Sequence, residues 1–182
     1  MIQTQKRSAK NGLSVDTPVS KQVWKGGKRY ERLVKPYKIR LRYLRSDPRD
    51  TKMLAYAPSE QEKEPYYSVR IDEGFLWRPS VPNIFRGIMP IHPLYPASLV
   101  HDWMYRYRGN MMKEGYLKMR ADIKSVNKNW YRIRRVSREF ADGVFRKLML
   151  ETEVPTWRAQ LAWAAVRIGG GFKWRSPYEG KS

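Results

Sequence analysis

Apolar and basic residues alternate from Tyr37 to Leu44. Alternation with a period of two is typical of a strand that buries one face. It puts the apolar side chains of Tyr37, Ile39, Leu41 and Tyr43 on one face and a cationic stripe of Lys38, Arg40 and Arg42 on the other. Segments 53–57 and 66–72 predict two more strands, which the polar loop 58–65 would join. The first half of the chain therefore predicts a small antiparallel sheet.

The second half shows the helical period instead, in segments 96–108, 138–151 and 156–168. Pro96 suits a first helical turn, and Ser137 is the residue type expected at an N-cap. The run Gly169 to Gly171 is predicted to end the third helix. An apolar stripe on that helix, predicted to face the core, consists of Trp157, Leu161, Ala165 and Ile168. Strands followed by helices predict the α+β class, a small antiparallel sheet followed by a three-helix layer.

Residues 1–36 are predicted to be an extended basic arm, and residues 37–182 a single α+β domain. The arm has no sustained period and is interrupted by Pro18 and the Gly26-Gly27 pair. A second basic stretch, 113–135, is interpreted as a solvated helix and loop, with a second contact patch as the alternative.

The net charge of +20, from 37 basic and 17 acidic residues, is extreme for 182 residues. Such a charge favours polyanionic partners, which are nucleic acid, an acidic protein face or anionic lipid. The absence of cysteine excludes disulfides and thiolate metal sites. We expect a soluble protein without a membrane span, because the start has no apolar signal core and the longest apolar run is Leu161 to Val166.

The arm and the strand after it mix cations, which neutralise phosphates, with aromatic rings, which stack on bases. No sequence-reading motif is visible, so such binding would be independent of sequence. The alternative is an arm that lies on an acidic neighbouring protein. The candidate nucleic-acid or partner-binding residues are Trp24, Lys25, Lys28, Arg29, Tyr30, Arg32, Lys35, Lys38, Arg40 and Arg42.

His101 and Tyr105 are one helical turn apart and share a face, while Asp142 is on the following helix. A histidine can accept a proton from water when a carboxylate holds its other ring nitrogen. His101, Asp142 and Tyr105 are therefore the candidate catalytic residues. Asp102 is the candidate metal ligand, since carboxylate oxygens suit hard cations.

A non-catalytic interpretation of the same residues is also open. A histidine between packed helices is commonly a core residue that a carboxylate satisfies. Asp142 would then pair with Arg138 and Arg146, one turn to either side.

The chain resembles the phage- and prophage-associated domain-of-unknown-function family 1353 over residues 66–174. The matching pieces are Gly74-Phe75 with Ser80-Val81-Pro82, residues 97–105, residues 137–145, Val154-Pro155-Thr156-Trp157, and Ala164-Ala165-Val166-Arg167 followed by Trp174. The resemblance implies an α+β domain in which the His-Asp helix packs on the helix that carries Asp142.

The two helices are also similar to the helical pair of secretory phospholipases. That likeness implies that His101 would activate water, Asp102 would bind calcium, and Asp142 would orient His101, with Tyr105 one turn on. The chain departs from the family at Leu76-Trp77-Arg78-Pro79, where Arg78 replaces an acid. A cation and an indole there would oppose metal binding and crowd a cleft, and the glycine-rich calcium loop is missing.

We therefore expect a structural or assembly component of a tailed-phage virion, in its connector, tail or inner capsid, made in the host cytoplasm. Its basic arm would dock on other virion proteins or on packaged double-stranded DNA, within a multi-subunit assembly and without a cofactor. One alternative is a His/Asp-dependent hydrolase of an ester or acyl substrate, for which calcium would be a cofactor. Another is a sequence-independent nucleic-acid-binding protein. The sequence leaves enzymatic activity open and favours a non-enzymatic role.

Overall fold

A computed structural model describes residues 15–42, 66–78, 92–120 and 130–175. The strand predicted over 53–57 and the loop over 58–65 lie outside the described residues. The strands are β1 (Ser20–Lys25), β2 (Lys28–Leu33), β3 (Tyr37–Arg42), β4 (Tyr66–Ile71), β5 (Leu76–Trp77), β6 (Gly115–Arg120) and β7 (Trp130–Ile133). The helices are α1 (Tyr95–Arg106), α2 (Arg138–Glu151) and α3 (Thr156–Arg175), and a short 3₁₀ helix, His92–Leu94, precedes α1.

The strands form two antiparallel sheets, one with the order β1-β2-β5 and one with the order β3-β4-β6-β7. Side chains of both sheets and all three helices join one hydrophobic core. The four-stranded sheet meets α2 where the rings of Tyr67 and Phe140 pack edge to face, with centroids 5.3 Å apart. This architecture confirms the α+β class.

The alternation predicted for β3 is confirmed. Tyr37, Ile39 and Leu41 are buried, whereas Lys38 and Arg40 are exposed. The strand predicted over 66–72 is confirmed as β4.

The basic stretch 113–135 was predicted as a helix and loop, and that prediction is wrong. It contains β6 and β7, so two strands follow α1 in the chain instead of preceding all the helices. Leu117 and Ile133 are the buried residues that hold these strands on the core. The alternation is present, as Leu117-Lys118-Met119-Arg120 and Tyr131-Arg132-Ile133-Arg134, but each run is short and lies in a strongly basic segment.

The described part of the predicted arm is a hairpin and not an extended segment. Gly26 (φ +57°) and Gly27 (φ +69°) form the two-residue turn between β1 and β2, which requires positive φ at both positions. Strand β2 pairs with β5, and the amide of Leu33, a buried residue, donates to the Phe75 carbonyl at 3.0 Å. The glycines that suggested a break in structure therefore make a hairpin turn that belongs to the folded body.

Helix α3 does not end at its glycines, as predicted, but continues through them to Arg175. A Cβ atom at Gly170 would collide with the Tyr105 hydroxyl, and one at Gly171 would lie 2.8 Å from a guanidinium nitrogen of Arg138. The glycines are needed because α3 approaches α1 and α2 closely at this point.

The apolar stripe of α3 faces outward, contrary to the prediction that it faces the core. Trp157, Leu161 and Ile168 are 52%, 44% and 83% exposed. The buried side is formed by small residues, including Ala159 and Ala162, which allow the helix to pack closely. No helix within the described ranges is both long and apolar enough to cross a membrane.

Candidate functional site

Two packed helices position the predicted catalytic residues. Helix α1 carries His101 and Tyr105 one turn apart, on the side that packs against α2. The start of α2 is set by its N-cap, because the Ser137 hydroxyl accepts a hydrogen bond of 3.1 Å from the Phe140 amide. Asp142 follows in the second turn of α2 and faces α1.

The structure brings His101, Tyr105 and Asp142 together. His101 Nε2 lies 3.0 Å from Asp142 Oδ1, and the Tyr105 hydroxyl donates to the same oxygen at 2.6 Å. The His101 ring lies against Tyr105 on one side and Phe145 on the other, with centroids 4.1 and 4.8 Å away. Asp142 is 0% exposed and His101 8% exposed.

The second carboxylate oxygen of Asp142 binds arginines. Arg167 of α3 donates to Oδ2 at 3.2 Å, and Arg138 Nε lies 3.6 Å from the same oxygen. Arg138 also donates to the Arg167 carbonyl at 2.6 Å. We call these five residues, His101, Tyr105, Arg138, Asp142 and Arg167, the Asp142 cluster. It joins all three helices around one buried carboxylate.

The protonation states in this cluster follow from its hydrogen bonds. Burial alone would raise the pKa of Asp142, but hydrogen bonds from His101, Tyr105 and Arg167 outweigh it and hold the pKa below its usual value. The pKa of Tyr105 is raised, first by burial and then by its bond to Asp142, so the tyrosine stays protonated. At neutral pH the cluster contains a carboxylate that accepts hydrogen bonds from His101, Tyr105 and Arg167.

This arrangement restricts the chemistry available to His101. An ionised Asp142 can only accept, so the Nε2 of His101 that faces it carries a hydrogen. A His101 ring that acted as a general base would therefore use Nδ1. The ring has little solvent contact, however, so the geometry orients a base without placing it in an open cleft.

Asp142 was also predicted to pair with arginines on its own helix. Arg138 does so, whereas Arg146 lies over the Trp163 ring, 5.9 Å from its centroid. The arginine that sequence reasoning missed is Arg167, twenty-five positions along the chain. The sequence feature that could have identified Arg167 is its place in Ala164-Ala165-Val166-Arg167, one of the segments that carry the family resemblance.

Asp102, the candidate metal ligand, is half-buried and accepts a hydrogen bond of 3.2 Å from the amide of Arg78. Nearby, Arg106 of α1 donates to the Leu76 carbonyl, and its guanidinium lies 4.3 Å from the centroid of the Phe75 ring. Asp102 and Arg106 thus tie α1 to β5. Within the described parts of the chain, no group of three or more His, Cys, Asp or Glu residues could hold a metal ion.

The candidate binding residues of the arm lie mostly on the hairpin surface. Trp24 is 71% exposed next to the turn, and Arg29 lies opposite it in the register. Arg29 is bound to Glu31 at 3.3 Å, and Tyr30 is half-buried. The exposed cations among the predicted residues are Lys25, Lys28, Arg29, Arg32, Lys35, Lys38 and Arg40. Arg42 is the last residue of β3.

Glu31 is a second residue that sequence reasoning missed. It is buried on the hairpin, where the Ser20 hydroxyl donates to it at 2.8 Å and the Arg29 guanidinium at 3.3 Å. The sequence feature that could have identified Glu31 is that it is the only acid between residues 17 and 46, in a strongly basic segment.

The fold and the cluster define a class, an α+β domain with a buried His–Asp pair between two packed helices. The family described as protein of unknown function (DUF1353) matches residues 55–166, more than half of the chain, and the protein belongs to that family. The match includes all of α1 and α2, and it ends one residue before Arg167. No curated protein and no solved structure matches the chain significantly.

Proposed function

We propose that the protein is a structural or assembly component of a tailed-phage virion, in its connector, tail or inner capsid. The observation that carries the proposal is the tip of the β1–β2 hairpin, where the exposed Trp24 lies among the exposed Lys25 and Lys28. A large exposed aromatic on a folded element is typical of a contact residue, because partners bury such anchors. The surrounding cations favour an acidic subunit or packaged DNA as the partner.

The Asp142 cluster supports the same proposal. Its carboxylate is fully buried and shared by three helices, so the cluster stabilises the helical layer without a ligand. The resemblance to phage- and prophage-associated proteins gives the expected setting. A rigid body with a cationic, aromatic-tipped hairpin suits a protein that is fixed between neighbours in a particle.

Incorporation of a hairpin-tip variant into particles tests this proposal. We expect Trp24→Ser/Lys25→Gln/Lys28→Gln to fold normally by circular dichroism but to be depleted at least tenfold from purified particles. The control, Met112→Ser/Lys113→Gln, changes an exposed apolar residue and a cation elsewhere on the surface. Deleting residues 1–36 is a poorer test, since it would also remove β2 and the buried Leu33. Wild-type incorporation of the tip variant would contradict the proposal.

A phospholipase-like hydrolase is the second candidate, and the 3.0 Å contact between His101 and Asp142 favours it. In that case His101 Nδ1 would accept a proton from the water that attacks an ester or acyl carbonyl. The test is hydrolysis of phospholipid vesicles and of a soluble ester, each with and without calcium. His101→Gln keeps a donor to Asp142 while removing the base, with Trp157→Ser as a surface control. Activity lost in His101→Gln alone would favour the hydrolase.

A further inference from the structure

The outward side of the four-stranded sheet is almost entirely cationic. One buried row across the sheet consists of Ile39, Val69, Leu117 and Ile133, paired in register. Since successive residues of a strand point to opposite faces, the rows on either side of it face away from the core. Those rows consist of Lys38, Arg70 and Tyr116, and of Arg40, Ser68, Lys118 and Arg132. We call these seven residues the outer sheet face.

The outer sheet face reaches the surface. Lys38, Arg40 and Arg132 are exposed, and the other four residues are half-buried. Three strand spacings make it about 14 Å wide. The backbone register continues to a further basic and aromatic set, Arg42, Tyr66, Arg120 and Trp130.

Like charges lie directly opposite each other on this face. Lys38 pairs with Arg70, and Lys118 with Arg132. Such pairs are destabilising, and an exposed sheet face normally mixes both signs of charge. None of the seven residues is acidic. Arg70 does bind Asp72, at 3.0 Å, but Asp72 lies beyond the end of β4.

An aromatic ring lies among these cations. Lys118 Nζ is 4.6 Å and the Arg70 guanidinium 6.0 Å from the centroid of the Tyr116 ring. Cations around a half-buried aromatic on a sheet surface are a combination by which proteins hold nucleic acid without reading its sequence. The charge would also suit an acidic protein partner, which competition with an acidic polypeptide distinguishes.

We propose that the outer sheet face binds the phosphodiester backbone of nucleic acid, through Lys38, Lys118 and Arg132, independently of sequence. This deepens the proposed function, on which it rests for the presence of packaged DNA, and it assigns DNA contact to the sheet. The hairpin tip is then left to contact a protein neighbour. Duplex and single-stranded nucleic acid share the backbone chemistry, and base stacking on Tyr116 is available only with the single strand.

The test is fluorescence anisotropy of the full chain with a labelled DNA single strand and with the corresponding duplex, over a series of salt concentrations. We expect Lys38→Gln/Lys118→Gln/Arg132→Gln to weaken binding at least tenfold. The slope of log affinity against log salt should become shallower by about 2.7 for the duplex and about 2.1 for the single strand, since each phosphate that a cation neutralises adds about 0.9 or 0.7 to it. A Tyr116→Leu variant that weakens only single-strand binding would identify the single strand as the ligand.

The control, Arg78→Gln/Lys113→Gln/Lys147→Gln, removes the same charge from other surface positions. We expect it to change affinity by less than threefold. Equal losses in both triple variants would overturn the proposal, because the effect would then be one of total charge. Polyglutamate that competes as well as DNA at equal charge would also overturn it, in favour of an acidic protein.

The two proposals fail separately. The hairpin-tip variant should bind DNA as the wild type does, while the outer-sheet variant should keep its fold by circular dichroism. Normal DNA binding by the outer-sheet variant removes the inference and leaves the assembly proposal standing. Normal incorporation of the tip variant into particles removes the assembly proposal and leaves the DNA-binding result unaffected.

Discussion

Charged side chains are arranged in opposite ways in the Asp142 cluster and on the outer sheet face. In the cluster, one buried carboxylate accepts from His101, Tyr105 and Arg167, so each partner of the charge is inside the protein. On the outer sheet face, cations lie opposite cations, as Lys118 does opposite Arg132. The first arrangement stabilises the fold by itself, whereas the second places like charges together in a way that suits an external anion. The comparison separates a structural site from a binding site made of the same residue types.

The largest effect should come from removing the buried anion. Asp142→Ala leaves two arginines around an empty position, and breaking a buried ion pair in this way costs about 3–5 kcal/mol of unfolding free energy. Thermal or urea unfolding measures this loss of unfolding free energy. For a chain of 182 residues we expect Tm to fall by about 6–20 °C.

Glu139→Gln is the matched control, because Glu139 binds the same Arg167, at 3.2 Å, from an exposed position. Its loss should cost less than about 1 kcal/mol. Equal losses for the two variants would show that the cluster is no more than a surface ion pair.

Acid should remove part of the same stabilisation. Because the folded-state pKa of Asp142 is lowered, its contribution is complete above the unfolded-state pKa of about 3.9 and is lost as pH falls through the folded value. We therefore expect the stability difference between wild type and Asp142→Asn to be constant from neutral pH down to about 4 and to shrink below it. Urea unfolding across this range measures it, and a difference that already shrinks above about pH 5 would contradict the lowered pKa.

A smaller effect should follow from crowding the cluster. Gly170→Ala puts a methyl group against the Tyr105 hydroxyl, so we expect a cost of about 1–3 kcal/mol. Gly169→Ala, which meets nothing within 4 Å, should be neutral or stabilise α3 by up to about 1 kcal/mol. Denaturant midpoints compare the two. In a Tyr105→Phe background Gly170→Ala should cost less than in the wild type, since the colliding oxygen is absent.

The smallest effect should have the opposite sign. Arg132→Gln removes a like-charge pair with Lys118 and keeps the contact of Lys118 with the Tyr116 ring, so we expect it to stabilise the protein by about 0.2–1 kcal/mol at low salt. The gain should vanish at about 1 M salt, where charges are screened beyond about 3 Å. A loss of stability at low salt would mean that the outer sheet face is already neutralised within the protein, and the contrast with the Asp142 cluster would fail.

Some of this structure could be predicted from local pattern alone. Tyr37, Ile39 and Leu41 alternate with cations, and the strand they predict is present with its basic face outward. Ser137 caps α2 as its residue type indicates, and the spacing of His101 and Tyr105 puts both on one helical face. Period and capping act within a few residues, so they are visible in a sequence.

Other features depended on partners distant in the chain. A Gly26-Gly27 pair is compatible with either an interruption of regular structure or a hairpin turn. The hairpin forms because β2 pairs with β5. The basic segments around Leu117 and Ile133 become strands because β6 pairs with β4, and β7 then pairs with β6. The glycines of α3 have the composition of a helix end, yet the helix continues through them, and Gly170 leaves room for the Tyr105 side chain.

The sequence by itself determined the periodic elements, the positive charge and the identity of the residues that could meet at Asp142, since all of these are local or compositional. Tertiary structure decided that Asp142 is buried and held by Arg167, that His101 has little access to solvent, and that Lys38, Arg40, Arg70, Lys118 and Arg132 share one face of the sheet. Burial and cross-strand register arise only when distant segments pack together. For that reason the same basic and acidic residues could be counted from the sequence but not sorted into those of the buried cluster and those of the outer sheet face.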